Sequence, residues 1–241
     1  MVGGIIMEVT YRPMTPIEAW NYIVWAHKNF HSHLKKFGYG FQNFIPENPR
    51  MTEMFEQEKL TLAQLAEYES VFKKHIYQER GLRRYDSLLK YAAVPALQDV
   101  VNVMRPFAKT WSADFPNKVE IQTTYGQGGS YNYENPGIIY RMTRHPAERM
   151  VHLLQHEFIH ILIELPIIKK YNVPQDLKER IVDIIGFEYF GKPVQPPFEN
   201  SFANKYITIG AIENDLAGAV EKMMTDYNAS RMIAGVGREG M

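Results

Sequence analysis

Residues 151–165, VHLLQHEFIHILIEL, decide how the rest of the chain is read. His156, Glu157 and His160 spell H-E-F-I-H, the HExxH pattern that places two metal-binding imidazoles and a glutamate on one helix. Side chains four residues apart on an α-helix lie about 40° apart around the axis and about 6 Å apart along it, so both imidazoles reach a single ion. Leu153, Leu154, Phe158, Ile159, Ile161, Leu162 and Ile163 surround the motif and mark a buried helix. Buried histidines and a buried carboxylate need partners, and a metal ion supplies one.

Zinc in a hydrolytic site takes three protein ligands and keeps one position open. No histidine follows His160, so a carboxylate must complete the set. The segment PQDLKERIVDIIGFEYFG, residues 174–191, reads as the next helix and offers Glu179, with Asp183 one turn later. On their own, these two acids also fit a solvated face beside Lys178 and Arg180. Eighteen residues, 161–178, separate His160 from Glu179.

HExxH followed at this spacing by a glutamate resembles the gluzincins, the group of thermolysin-like proteases and zinc aminopeptidases. The resemblance runs from Val119 to Gly191. It implies that His156, His160 and Glu179 hold one zinc ion per chain and that Asp183 hydrogen-bonds His156. An outer carboxylate of this kind fixes the tautomer and orientation of a ligand imidazole. Glu157 is then the general base, and Tyr171, in the loop between the two helices, matches a transition-state tyrosine, with Tyr189 also available. The spacer is that of the aminopeptidase branch, but the G-x-M-E-N loop of that branch is absent, so amino-terminal trimming is not implied. Gly186, on the same face as Glu179 and Asp183, suits close approach of the two helices. His152, one turn before His156, reads as a core residue or as a partner behind the ligands.

Upstream, VEIQTTY (119–125) alternates with period two and reads as a strand. Gly126, Gly128 and Gly129 break it, and residues 130–133 and 138–142 read as further strands around an Asn135-Pro136-Gly137 turn. The resemblance implies a small, mostly antiparallel sheet feeding the active-site helix, with an edge strand that holds extended substrate. The three glycines suit either close approach of a peptide or a flexible hairpin.

The N-terminal part is helical in pattern. Thr15-Pro16-Ile17-Glu18 and Thr61-Leu62-Ala63-Gln64 are capping boxes, and the region 52–111 reads as successive helices. His27 and His31 are four apart with no acid between them, which favours a partly exposed aromatic face over a second metal pair. Arg80, Arg83 and Arg84, with Lys73 and Lys74, read as a solvated face. Ile212, Leu216, Val220 and Met223 mark a last amphipathic helix, followed from Asn228 by a loose end.

These readings give an α+β fold in three segments: a helical N-terminal region (1–115), a zincin-like core with a two-helix zinc site (116–192), and a connector and helix packing on that core (193–241). With 27 basic and 27 acidic residues the net charge is zero, which argues against nucleic acid or an anionic membrane as partner. There is no cysteine, so disulfides and thiolate ligands are excluded. The start of the chain lacks the basic and apolar regions of a signal peptide, and no apolar run of membrane-spanning length is evident. The expectation is a soluble protein, cytoplasmic in preference to secreted, that hydrolyses peptide or protein substrates through zinc. Two rivals are a non-catalytic structural or interaction protein retaining the metal site, and a regulatory protease specific for one protein partner. Oligomeric state is left open.

Overall fold

The computed structural model describes residues 7–36, 48–125, 129–133, 137–142, 147–191 and 201–236. The elements run β1 (Glu8–Pro13), α1 (Pro16–Lys36), α2 (Pro49–Glu56), α3 (Leu62–Val71), α4 (Glu79–Arg83), α5 (Asp86–Leu88), α6 (Val94–Met104) and α7 (Ala108–Trp111). They continue as β2 (Lys118–Tyr125), β3 (Gly129–Asn132), β4 (Gly137–Met142), α8 (Ala147–Ile163), α9 (Gln175–Phe190), α10 (Ile209–Asn214) and α11 (Leu216–Val236). Gly38, Pro46, Gly126, Gly128, the Asn135-Pro136 half of the turn, Pro146, the connector at 192–198 and the end beyond 236 lie outside the described residues.

The fold is α+β and mostly helical, as expected. Both capping boxes form: Thr15 N–H donates to Glu18 Oε2 at 2.8 Å while Glu18 N–H donates to Thr15 Oγ1 at 3.3 Å, and Thr61 and Gln64 repeat the exchange. The stretch 52–111 is helix after helix, from the end of α2 to α7.

The sheet departs from the mostly antiparallel expectation. Its order is β1-β2-β4-β3, with β1–β2 and β2–β4 parallel and only β3–β4 antiparallel. The physical reason is β1, which the sequence reading did not place. Its chain runs through all of α1–α7 before returning as β2, and such a long helical crossover lets β2 lie parallel to it. After β2 the chain goes to the sheet edge as β3, and β4 then fills the gap between them. On β2, Val119, Ile121 and Thr123 are buried as the period-two pattern requires. Ser130 on β3 exchanges a hydrogen bond of 3.0 Å with Tyr22 of α1, which anchors the edge strand to the N-terminal helix.

Two apolar cores pack against this sheet. The larger draws on Met7, α6, β2, α8, α9 and α11, with Met7, Leu97, Ile121, Phe158, Ile181 and Met223 all inside it, so it collects side chains from each of the three sequence segments. The smaller gathers Trp20, Ile23, Met54, Phe55, Phe72 and Tyr125 around α1–α3. Tyr125, at the end of β2, is pinned there: its hydroxyl donates to Ile76 O at 3.2 Å and accepts from Gln78 N–H at 2.6 Å.

Three local expectations are corrected, and the end of α8 adds a feature of its own. Pro166 does not stop the helix outright. The α-register stops at Ile163, and Glu164–Lys169 continues as a π-helical turn around the proline, which has no N–H to donate. The last amphipathic pattern is two helices, because Asp215 leaves helical geometry and accepts Gly218 N–H at 2.9 Å to start α11. That helix also runs to Val236, well past Asn228. A methyl group at Gly186 would lie 4.0 Å from Ile159 Cδ1, an ordinary contact, so close helix approach does not require the glycine. Gly191 does need its freedom, since it caps α9 at φ 80°.

By length and composition Arg149–Lys169 could cross a membrane, with a mean hydropathy of 1.3, contrary to the expectation of no such run. Of its most apolar window 72% is buried inside the protein, so those faces are already occupied by the larger core.

Candidate metal centre

Helix periodicity brings the two imidazoles together. His156 and His160 are buried on the same face of α8, and their Nε2 atoms stand 3.1 Å apart. Helix α9 packs against that face through Leu177, Ile181 and Ile185 and delivers Glu179, whose Oε2 lies 3.2 Å from His156 Nε2 and 3.3 Å from His160 Nε2. The other oxygen of Glu179 accepts from Gln175 Nε2, one turn earlier, at 2.5 Å, which fixes which oxygen faces the histidines.

The spacing of these donors fits zinc. Zinc binds nitrogen and carboxylate oxygen at about 2.0–2.1 Å in a tetrahedron, whose edges are then about 3.3 Å long. The observed edges of 3.1, 3.2 and 3.3 Å form one face of such a tetrahedron. Among the described residues no fourth His, Cys, Asp or Glu joins the group, so the fourth corner is not taken by a side chain of that kind. Protons cannot satisfy this triangle equally well: three acceptor-capable atoms converge on one point, and a single N–H points along only one edge. A cation at the centre serves all three.

The electrostatics agree with a carboxylate held ionised. Burial pushes the Glu179 carboxyl up, but hydrogen bonding to His156 and His160 outweighs this and holds it far below the usual range. Burial disfavours charge on His156, yet contacts with Asp183 and Glu179 raise it to about 10, whereas burial brings His160 down to about 4. Asp183, fully buried, places Oδ1 3.2 Å from His156 Nδ1, an ion-pair contact that falls short of hydrogen-bond geometry, and neither of its oxygens has a hydrogen-bond partner among the described residues. Asp183 thus lies beside the edge of His156 opposite to Glu179.

Glu157 is buried on α8 and its side chain lies directly against the backbone of β3. A Cβ at Gly129 would come within 2.6 Å of Glu157 Oε1 and 2.8 Å of its Cγ. The glycine at 129 therefore makes room for Glu157, a close approach within the protein itself.

Neither expected tyrosine is brought to this cluster. The Tyr171 hydroxyl donates to Glu221 of α11 at 3.5 Å, and the Tyr189 hydroxyl donates to Glu213 of α10 at 3.1 Å. The resemblance pointed to Tyr171, with Tyr189 as the alternative, but both hydroxyls turn toward the C-terminal helices. The tyrosine at the site is Tyr131 of β3, whose ring stacks on His160 with centroids 4.7 Å apart and planes 8° apart. Its hydroxyl donates to Glu164 Oε2 at 2.5 Å and accepts from Lys178 Nζ at 3.0 Å. Tyr131, Glu164 and Lys178 were all missed. For Glu164 a signal existed, since it follows His160 by four residues and so continues the line of His156 and His160.

His152 stands outside the cluster, with its Nδ1 lacking a partner among the described residues. His27 and His31 are buried rather than partly exposed, and they cap the C-terminal end of α2: His27 Nε2 meets Gln57 O at 2.7 Å and His31 Nε2 meets Phe55 O at 3.0 Å. Their Nε2 atoms are used by backbone carbonyls, in keeping with the reading against a second metal pair. In the basic cluster, Lys73 pairs with Glu69 and Arg83 with Glu79 along exposed helix faces. Comparison of the chain with protein-family models, with curated proteins and with solved structures finds no match.

Proposed function

We propose that this protein is a zinc-dependent peptidase of gluzincin type. The observation that carries the reading is the triangle of His156 Nε2, His160 Nε2 and Glu179 Oε2, whose sides match the face of a zinc tetrahedron. Those three residues would hold the ion. Bound zinc supplies a Lewis acid that polarises a carbonyl and acidifies water.

The chain's own residues do the rest. Asp183 favours the tautomer of His156 with its proton on Nδ1, leaving the Nε2 lone pair on the cluster. Glu157 accepts the proton of the water that attacks the scissile carbonyl and delivers it to the departing amine. Gly129 keeps the space that Glu157 needs. A set of three ligands, with no fourth His, Cys, Asp or Glu among the described residues, favours catalysis over a structural staple, which would close all four positions.

The test compares wild type with Glu157→Gln at equal zinc loading on a mixed peptide library and on lysate proteins. The variant should retain about one zinc per chain and lose peptidase activity by about 10²-fold or more. Chelator should abolish wild-type cleavage, and zinc should restore it. Equal rates for the two proteins would remove Glu157 from the mechanism. Cleavage by neither would leave a metal site without peptidase function.

A further inference from the structure

We infer that Tyr131 is a positioning residue of the metal centre, orienting the His160 imidazole by stacking as Asp183 orients His156 by its carboxylate; this rests on the metal reading above. The two histidines are treated unequally. A ligand imidazole is ordinarily held by a hydrogen bond on its second nitrogen. His156 has Asp183 at 3.2 Å for that purpose, but His160 Nδ1 is buried with no hydrogen-bond partner among the described residues. Without some other restraint, the His160 ring could turn about its Cβ–Cγ bond and swing Nε2 away from the cluster.

Tyr131 supplies that restraint. Its ring lies nearly parallel to His160, 4.7 Å away, so rotation of the imidazole would drive an edge into the phenol face. A stacking partner restrains only if it is itself fixed, and Tyr131 is fixed at both ends. Its backbone pairs with Ile138 in the β3–β4 ladder, and its hydroxyl is held between Glu164 and Lys178. Lys178 Nζ also lies 3.9 Å from Glu164 Oε2 and 5.4 Å from the Tyr131 ring centroid, so the buried carboxylate and the phenol share one cation.

The anchors sit on the elements that carry the ligands. Glu164 is one turn beyond His160 on the helical extension of α8, and Lys178 immediately precedes Glu179 on α9. Any shift of α8 against α9 is therefore opposed at the triangle and again at the Tyr131 hydroxyl. Because the phenol proton is donated to Glu164, Tyr131 works through His160 and not on a substrate.

The experiment measures zinc affinity by chelator competition and the visible spectrum of the cobalt-substituted protein, for wild type, Tyr131→Phe and Tyr131→Leu. The leucine variant removes the ring plane and should weaken zinc binding roughly 10–100-fold, the usual effect of losing a partner behind a ligand histidine. It should also shift the cobalt ligand-field bands. The phenylalanine variant keeps the plane and should stay within about threefold of wild type in affinity, with unshifted bands. Val119→Ala, a core change on β2, controls for lost stability and should leave affinity and bands unmoved. If Tyr131→Leu binds zinc as tightly as wild type with an unchanged cobalt spectrum, Tyr131 does not orient His160. If Tyr131→Phe loses as much as Tyr131→Leu, the hydroxyl contacts act and the stacking claim is wrong. Failure of wild type to bind either metal would instead overturn the metal reading itself, before any variant is compared. Should the leucine variant not fold, Tyr131→Met, which also removes the ring plane, must lower affinity and shift the cobalt bands while Tyr131→Phe does neither, for the claim to stand.

Discussion

At Gly129 a missing side chain is a requirement of another residue. Its φ is outside the left-handed region, so alanine there is tolerable for the backbone and intolerable for Glu157 alone. The Glu157 side chain is buried and cannot swing into solvent to escape a methyl group at 2.6 Å. Gly129→Ala should therefore leave zinc content near one per chain and cut peptidase turnover by about 10–100-fold, approaching the loss of the base itself. Turnover equal to wild type would mean that the position of Glu157 is not critical. Residues of the site divide by how they reach it. His156, His160, Glu179 and Asp183 were legible because each relation is a helix repeat or a fixed spacing along the chain. Tyr131 was not, since it comes from a strand across the site and nothing near it in sequence announces His160. Tyr171 and Tyr189 show the converse: the resemblance and the position of Tyr171 in the inter-helix loop suggested them, while their hydroxyls bond Glu221 and Glu213.

Elements whose start depends on local chemistry were the legible ones. The capping boxes at Thr15 and Thr61 need only residues three apart, and both form. Sheet direction depends on a partner found at a distance, and β1 pairs with β2 across more than a hundred residues. Arg12, near the end of β1, ties this long connection to α1 by a two-pronged ion pair with Glu18 at 2.8 and 2.9 Å. The hydrogen bonds from Arg12 lead the causes that hold the Glu18 carboxyl down to about 2 from 4.5. A lowered folded-state value means that the contribution is present above pH 4.5 and disappears as pH falls toward 2. Both side chains are more than a third exposed, so solvent and salt screen the pair and the effect is small. Glu18→Gln should therefore lower the melting temperature slightly at neutral pH, and the gap from wild type should narrow as the solution is acidified from pH 4.5 to 2. A gap that stays constant over that interval would show that the charge of Glu18 contributes nothing at the β1–α1 junction.

For the whole molecule, the triangle of His156, His160 and Glu179 joins α8 to α9 beside the larger core, so on the proposed reading metal binding and folding should be linked. Leu154, Phe158 and Ile159 on one helix and Ile181, Val182 and Ile185 on the other are buried in that core, and the same core continues through α6 and α11. Residues from both ends of the chain meet there, Met7 and Met223 among them, so opening the α8–α9 contact disturbs far more than the site. An ion that binds the assembled triangle and not the unfolded chain stabilises the fold by RT ln(1 + [L]/Kd), about 4 kcal/mol at a thousandfold excess over Kd. For a chain of this length each kcal/mol moves the melting temperature by about 2–4 °C, so saturating zinc should raise it by roughly 8–16 °C over chelator-treated protein. The ligand roles predict how variants divide. Glu179→Ala removes a corner of the triangle and should lose nearly all of the zinc-dependent rise, while Glu157→Gln, which removes no corner, should keep it. A scan of melting temperature against free zinc for the three proteins reads this directly. If Glu179→Ala responds to zinc as wild type does, the ion is held elsewhere and the α8–α9 triangle is not the metal centre.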